Sequence, residues 1–153
     1  KSGTHDPVIS GFLRLAGAAP SDRMPHMIGI FLITHGTLGE SLIQCACHVM
    51  NRRPPQIVQL GISGQDAPLD ALPLARQLVN LVDSGDGVLI LTDILGATPA
   101  NVAAKLLEPG RVEGVAGANL PMLLRAITYR ERSMDMLVKK AVAGACEGVV
   151  HMK

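Results

Sequence analysis

The sequence predicts an α/β domain with a compact, doubly wound, mainly parallel sheet that is flanked by helices. From Met27 onward, short segments that are apolar throughout alternate with segments whose apolar residues recur at helical spacing. Strands that are apolar on both faces are typical of parallel sheets covered by helices on both sides. In such folds, ligands and chemistry gather at the carboxyl ends of strands, near the point where the strand order reverses.

The first 26 residues do not share this pattern. They mix glycine, proline, serine and aspartate around one short apolar patch. That patch is too interrupted for a membrane span and makes a poor signal peptide. We interpret residues 1–26 as a cloning-vector leader or, alternatively, a disordered extension. Residues 27–153 are then long enough to form one domain.

Each predicted strand is a short apolar run bounded by glycine, proline or polar residues. The predicted strands cover residues 27–33, 56–60, 87–92 and 111–117. The tail, residues 148–153, is a candidate for a last edge strand that runs antiparallel.

Helices are predicted between these strands, where apolar residues recur every three or four positions. They cover residues 40–52, 69–82, 100–108, 121–130 and 133–147. Ser133 is a suitable start for the last helix. The residues expected to face inward from the first two helices are Leu42, Ile43, Ala46, Val49 and Met50, then Leu69, Leu72, Val79 and Val82.

Composition and charge exclude several classes of partner. Aromatic residues make up 2% of the chain, so stacking platforms for nucleic-acid bases are nearly missing. Residues 27–153 carry 11 basic and 11 acidic side chains, and no long basic run suggests DNA or direct membrane association. The odd cysteine count, Cys45, Cys47 and Cys146, is interpreted as small buried side chains in a reducing cytoplasm.

Two polar residues stand where predicted strands end. His35 follows the first strand and Asp93 follows the third. If these strands are neighbours in the sheet, the two side chains lie together at one edge. A carboxylate that holds one ring nitrogen as a donor leaves the other nitrogen free as a nucleophile.

The residues around this pair suit a phosphoryl group. Gly36 and the neighbouring helix starts can offer backbone N–H groups to an anion, and Thr37 and Thr98 add hydroxyls. The chain has no G-x-S-x-G elbow, no Walker lysine and no dinucleotide fingerprint. One histidine and one carboxylate are too few for a metal site, so neither a metal nor another cofactor is expected.

Four motifs in order resemble the mannose-type IIA domain of the bacterial phosphotransferase system. They are "THG", "LTD", "GATPAN" and "GVAGANLPMLLRA", and the resemblance covers Met27 to Lys153. It implies a cytoplasmic phosphotransferase component in which His35 accepts a phosphoryl group at Nε2 from phospho-HPr and passes it to a IIB component. Asp93 is then expected to hold Nδ1, and Thr98 to help bind the phosphoryl oxygens.

The resemblance also implies a homodimer in which the tail, residues 148–153, joins the partner's sheet. Family members often have two glycines where this chain has Gly96-Ala97, which bears on how a partner approaches. Since no IIB domain follows residue 153, we expect the acceptor to be a separate protein. Two alternatives remain open, namely a regulatory docking module without a dedicated sugar permease and a metabolite-binding α/β domain.

Overall fold

The computed structural model describes residues 26–65 and 67–153, so Asp66 and nearly all of the predicted leader lie outside the described residues. The strands are β1 (Gly29–His35), β2 (Ile57–Ile62), β3 (Val88–Thr92) and β4 (Val112–Ala116). The helices are α1 (Leu38–Met50), α2 (Pro68–Val82), α3 (Thr98–Ala104), α4 (Leu120–Tyr129) and α5 (Met134–Glu147). The predicted α/β class is confirmed.

The sheet has the strand order β2-β1-β3-β4, and all three pairings are parallel. The first and third strands are therefore neighbours, as the placement of His35 and Asp93 requires. After β1 the chain forms β2, which pairs with one edge of β1. It later forms β3, which pairs with the opposite edge of β1. The carboxyl ends of β1 and β3 consequently flank the point where the order reverses.

Side chains that alternate along each central strand supply two separate cores. Ile30 and Leu32 of β1 face a cluster that includes residues of α1, α4 and α5. Phe31 and Ile33 face the opposite cluster, built with α2 and α3. All four side chains are fully buried. This burial on both faces explains why β1 has no apolar–polar alternation in the sequence.

The amino ends of the strands carry a buried cation. Arg130, at the end of α4, is 3% exposed. It donates from Nε to the Ile28 carbonyl (2.9 Å), from Nη2 to the Gln56 carbonyl (2.7 Å) and from Nη1 to the Pro55 carbonyl. Desolvation lowers the pKa of Arg130 to about 10; Glu131 opposes that shift and Arg52 adds to it. Arg130 thus joins α4 to the segments that begin β1 and β2.

Some predicted boundaries and inward-facing residues are wrong. The first strand runs two residues further than its apolar run, because Thr34 is buried within it. Helix α3 ends at Ala104 and not at residue 108, since the chain must turn through Gly110, at a φ of +81°, to enter β4. Val49 and Leu69, expected to face inward, are 57% and 67% exposed.

The tail and the cysteines also differ from expectation. Residues 149–153 belong to no strand of their own chain. Helix α5 continues to Glu147, Gly148 packs against Pro121, and residues 148–153 are exposed. Cys45 and Cys146 are exposed and Cys47 is half-buried, so the expectation of three buried thiols is wrong. Helical spacing places neither Cys45 nor Cys146 on a core-facing stripe.

His26 lies at the start of the described chain, although the prediction assigned it to the leader. Its ring Nδ1 is 3.0 Å from an Asp86 carboxylate oxygen, and its Nε2 is 2.9 Å from the Arg132 carbonyl oxygen. The next residue, Met27, donates its backbone N–H to the same carboxylate (2.9 Å).

Candidate functional site

His35 and Asp93 meet at the carboxyl ends of β1 and β3. The His35 Nδ1 lies 2.7 Å from Asp93 Oδ2, and the His35 backbone N–H donates to the same oxygen at 3.1 Å. The second carboxylate oxygen accepts the backbone N–H of Ile94 at 3.2 Å. Both oxygens of the carboxylate are therefore held, which fixes the side chain beside the imidazole.

The ionisation of Asp93 decides which ring nitrogen is free. Burial acts to raise the pKa of this carboxyl, but the hydrogen bonds from the His35 ring and from backbone N–H groups outweigh it, so the pKa lies below its ordinary value. An ionised carboxylate only accepts hydrogen bonds, so His35 Nδ1 must carry the proton. In the neutral imidazole the lone pair then lies on Nε2. The His35 side chain is 49% exposed and that of Asp93 only 12%.

The turn after β1 is held by a residue that the sequence analysis did not single out. Thr34 Oγ1 accepts the backbone N–H of Gly39 at 2.8 Å, while Thr37 makes no side-chain capping bond. Thr34 thus begins helix α1 from within the strand. Its sequence signal is a single hydroxyl residue in an otherwise apolar run, and this signal does not identify its partner.

The other predicted site residues lie on the same edge of the sheet with different contacts. Gly36 adopts a φ of +51° and donates its N–H to the Ile62 carbonyl at 3.0 Å. Within the described part of the chain, the N–H groups of Thr37 and Leu38 make no hydrogen bond. Thr98 begins α3 and is half-buried, and its hydroxyl has no hydrogen bond to any described residue. The structure thus joins His35 to Asp93 directly, but not to Thr98.

Large, exposed apolar side chains follow His35 and Asp93 closely in the chain. Leu38 is 41% exposed, and Ile94 and Leu95, which follow Asp93 directly, are 56% and 80% exposed. Three cavities of about 390, 200 and 300 Å³ lie elsewhere, and neither His35 nor Asp93 lines them. The His35 side chain is half exposed, and the three apolar side chains are exposed as well.

Neither a metal cluster nor a membrane helix is found within residues 26–65 and 67–153. No three His, Cys, Asp or Glu side chains come together there as metal ligands would. In the same part of the chain, every helix is too short or too polar to cross a bilayer.

Solved structures share this fold. The phosphotransferase component EIIA from Streptococcus agalactiae is 25% identical, with a TM-score of 0.72, over 82% of this chain and 97% of that one. The mannose/sorbose-specific IIA subunit from Enterococcus faecalis is 20% identical, with a TM-score of 0.74, over 83% of this chain and 96% of that one. The second likeness supports the fold alone.

Sequence relatives agree with the structural ones. The mannose-specific EIIAB component of the phosphotransferase system from Escherichia coli K12 is 32% identical over 129 residues. That match includes 82% of this chain and 40% of the relative, so the chain spans less than half of that protein's length. The family model described as "PTS system fructose IIA component" matches residues 29–142. The chain therefore belongs to this IIA family of the sugar phosphotransferase system, as its motifs predicted.

Proposed function

We propose that His35 carries a phosphoryl group on Nε2, accepted from phospho-HPr and passed to a IIB component in the cytoplasm. The observation that supports this most is the 2.7 Å contact between His35 Nδ1 and Asp93 Oδ2, which leaves Nε2 as the unprotonated nitrogen. Family membership supports the reaction class, and the geometry supports Nε2 as the reacting atom.

The transfer forms one bond to phosphorus and breaks another. The Nε2 lone pair of His35 attacks phosphorus, a bond from Nε2 to phosphorus forms, and the bond from phosphorus to the donor atom of phospho-HPr breaks, with its electron pair staying on that atom. The His35 ring keeps its Nδ1 proton throughout. As the ring gains positive charge, Asp93 compensates it from 2.7 Å. Passing the group to the IIB component reverses these steps at His35.

The phosphoryl oxygens need donors, and the chain offers them beside the ring. The first turn of α1, a 13-residue helix, includes the free N–H groups of Thr37 and Leu38, near the positive end of the helix dipole. The Thr37 and Thr98 hydroxyls are further donors in this proposal. Transfer then depends mainly on alignment and charge stabilisation, as is general for phosphoryl transfer.

The surroundings of His35 favour a protein as the other reactant. A metabolite is usually held in a concave pocket, whereas His35 is half exposed on a surface with Ile94 and Leu95. Exposed apolar side chains that flank a reactive group are typical of a protein docking surface. The metabolite-binding alternative is therefore less well supported than transfer between proteins.

Labelling of the protein tests the proposal. The chain, incubated with enzyme I, HPr and phosphoenolpyruvate, is expected to gain the mass of one phosphoryl group, which acid removes. His35→Ala should not be labelled, while His48→Ala, on exposed helix surface, should be labelled as the wild type is. Labelling of His35→Ala would refute the assignment. A wild type that no cognate HPr labels would instead favour the regulatory docking module.

We also propose that two copies associate through their tails. Val149, Val150 and Met152 are 77%, 72% and 89% exposed. Several large apolar side chains exposed so close together often mark a protein contact surface. Strand β4 is an edge of the sheet, and a 300 Å³ cavity lined mostly by apolar residues lies between it and α5. Sedimentation equilibrium is expected to give a dimer for the whole chain and a monomer after removal of residues 149–153. A dimer that survives this removal would contradict the proposal.

A further inference from the structure

Strand β2 is tied to the turn that carries His35. In the parallel pairing of β1 with β2, Thr34 lies opposite Gly61 and His35 lies opposite Ile62. Just beyond this register, the Gly36 N–H donates to the Ile62 carbonyl at 3.0 Å. The turn after His35 therefore rests directly on the end of β2.

The contact between this turn and Gly61 leaves no room for a side chain. A Cβ built on Gly61 would lie 2.1 Å from the Gly36 carbonyl oxygen and 3.2 Å from its carbonyl carbon. Separations below 3.0 Å essentially never occur for real Cβ atoms, and the opposing atoms are backbone. Gly61 itself adopts an ordinary φ, so its conformation would allow any residue. Space alone requires glycine here.

We infer that Gly61 is a positioning residue for phosphoryl transfer, an inference that rests on the function proposed above. A methyl group at position 61 must push the Gly36 carbonyl away. Gly36 is bonded directly to His35, and its turn leads to the free N–H groups of Thr37 and Leu38. This displacement therefore changes the position of Nε2 relative to the N–H groups that, in the proposed function, bind the phosphoryl oxygens. An error of about 1 Å in such an alignment lowers a rate by as much as about 10²-fold.

The chain contains a matched control three residues further on. Gly64 also has an ordinary φ, and a Cβ built on it meets nothing within 4 Å. Gly61→Ala and Gly64→Ala are the same chemical change in the same segment. They differ in whether the new methyl group meets the turn of His35.

Two measurements on each variant test the inference. Phosphoramidate, a phosphoryl donor that needs no docking protein, reports the rate at which His35 is labelled. The ¹⁵N resonances of the His35 ring report its environment without any phosphoryl transfer. Gly61→Ala is expected to lower the saturating labelling rate about tenfold or more and to shift the ring resonances, with the amide spectrum of the sheet retained. Gly64→Ala should change neither the rate nor the resonances.

Three outcomes would overturn the inference. In the first, Gly61→Ala is labelled at the wild-type rate and its ring resonances do not shift. In the second, the two substitutions have equal effects. In the third, Gly61→Ala loses the folded amide spectrum. The last outcome would assign the contact to the fold and not to the site. Failure of the proposed function looks different: the wild type itself would not be labelled at His35, whereas the resonance shift in Gly61→Ala would still appear.

Discussion

The two ends of the sheet each hold a basic side chain against oxygen atoms, but they use it differently. At the amino ends, Arg130 is 3% exposed and bonds three backbone carbonyls. At the carboxyl ends, His35 is half exposed and bonds one carboxylate, that of Asp93. All three guanidinium nitrogens of Arg130 donate to backbone. The imidazole, in contrast, has one nitrogen to spare.

Under the proposed function, this difference separates a structural group from a reactive one. Arg130 donates to the Ile28 and Pro55 carbonyls, which have no other donor among the described residues, and it stays charged at neutral pH although desolvation lowers its pKa to about 10. His35 has a partner that orients the ring but does not use Nε2. Titratable groups at both ends are well bonded, so the number of hydrogen bonds does not reveal function. The unused Nε2 and the exposure of the His35 side chain are what support the proposed role.

The largest expected effect is on stability, at the amino end. Arg130→Met keeps much of the side-chain volume but removes every donor from the Ile28 and Pro55 carbonyls. Relief of the guanidinium's desolvation offsets part of this loss. We expect the free energy of unfolding to fall by about 3 kcal/mol, measured by urea denaturation. The rate at which folded protein is phosphorylated should stay close to that of the wild type.

Arg125 provides the matched control on the same helix. Its guanidinium pairs with Glu147 at 2.9 Å, and the two side chains are 31% and 65% exposed. Arg125→Met should lower the free energy of unfolding by less than about 1 kcal/mol, as is usual for exposed ion pairs. Equal losses in both variants would mean that the carbonyl contacts of Arg130 add little to stability.

A smaller expected effect is on rate, at the carboxyl end. Asp93→Asn leaves the ring without a carboxylate to hold Nδ1–H and to compensate the charge of phosphohistidine. We expect phosphoryl transfer to slow by about 10- to 100-fold, by analogy with carboxylates that orient metal-binding histidines. The free energy of unfolding should change by less than about 1 kcal/mol, because asparagine keeps an oxygen that can accept a backbone N–H and the His35 side chain is half exposed.

The measurements are rapid-quench phosphorylation and urea denaturation of the same preparation. Because the pKa of Asp93 lies below its ordinary value, the carboxylate stays ionised at neutral pH, and the loss of rate in Asp93→Asn is expected at about pH 7. Unchanged transfer in Asp93→Asn would remove the carboxylate from the mechanism. A large fall in the free energy of unfolding of Asp93→Asn would contradict the view that the carboxyl ends of the strands contribute less to stability than the amino ends.

Prediction from sequence succeeded where a residue's role depends on its neighbours in the chain. The order of elements follows from apolar periodicity, and the cap at Ser133, which accepts the Met136 N–H at 3.3 Å, follows from a local preference. The pairing of His35 with Asp93 was also predicted, because parallel topology brings the ends of neighbouring strands together. Their positions 58 residues apart are not themselves a signal.

Prediction failed where the role depends on a distant backbone group. Arg130 looks like an ordinary helix-end cation, yet its partners lie 74 to 102 residues away in sequence. Thr34 looks like part of an apolar strand, and Val49 and Leu69 fit helical stripes although neither packs inward. Periodicity describes which face a residue is on, but not whether another element covers that face.

The sequence by itself determined the class of fold, the contact expected between His35 and Asp93 and, through its motifs, the IIA family. These depend on patterns that repeat along the chain, on parallel topology and on short motifs in a fixed order. Only the tertiary structure decided which hydroxyl begins α1 and why residue 61 must be glycine. Each of these depends on a separation of 2 to 3 Å between atoms of different strands or loops, for instance the 2.8 Å from the Gly39 nitrogen to the Thr34 hydroxyl oxygen. Such distances arise only when the sheet has assembled, because hydrogen bonds and steric exclusion act through space and not along the chain.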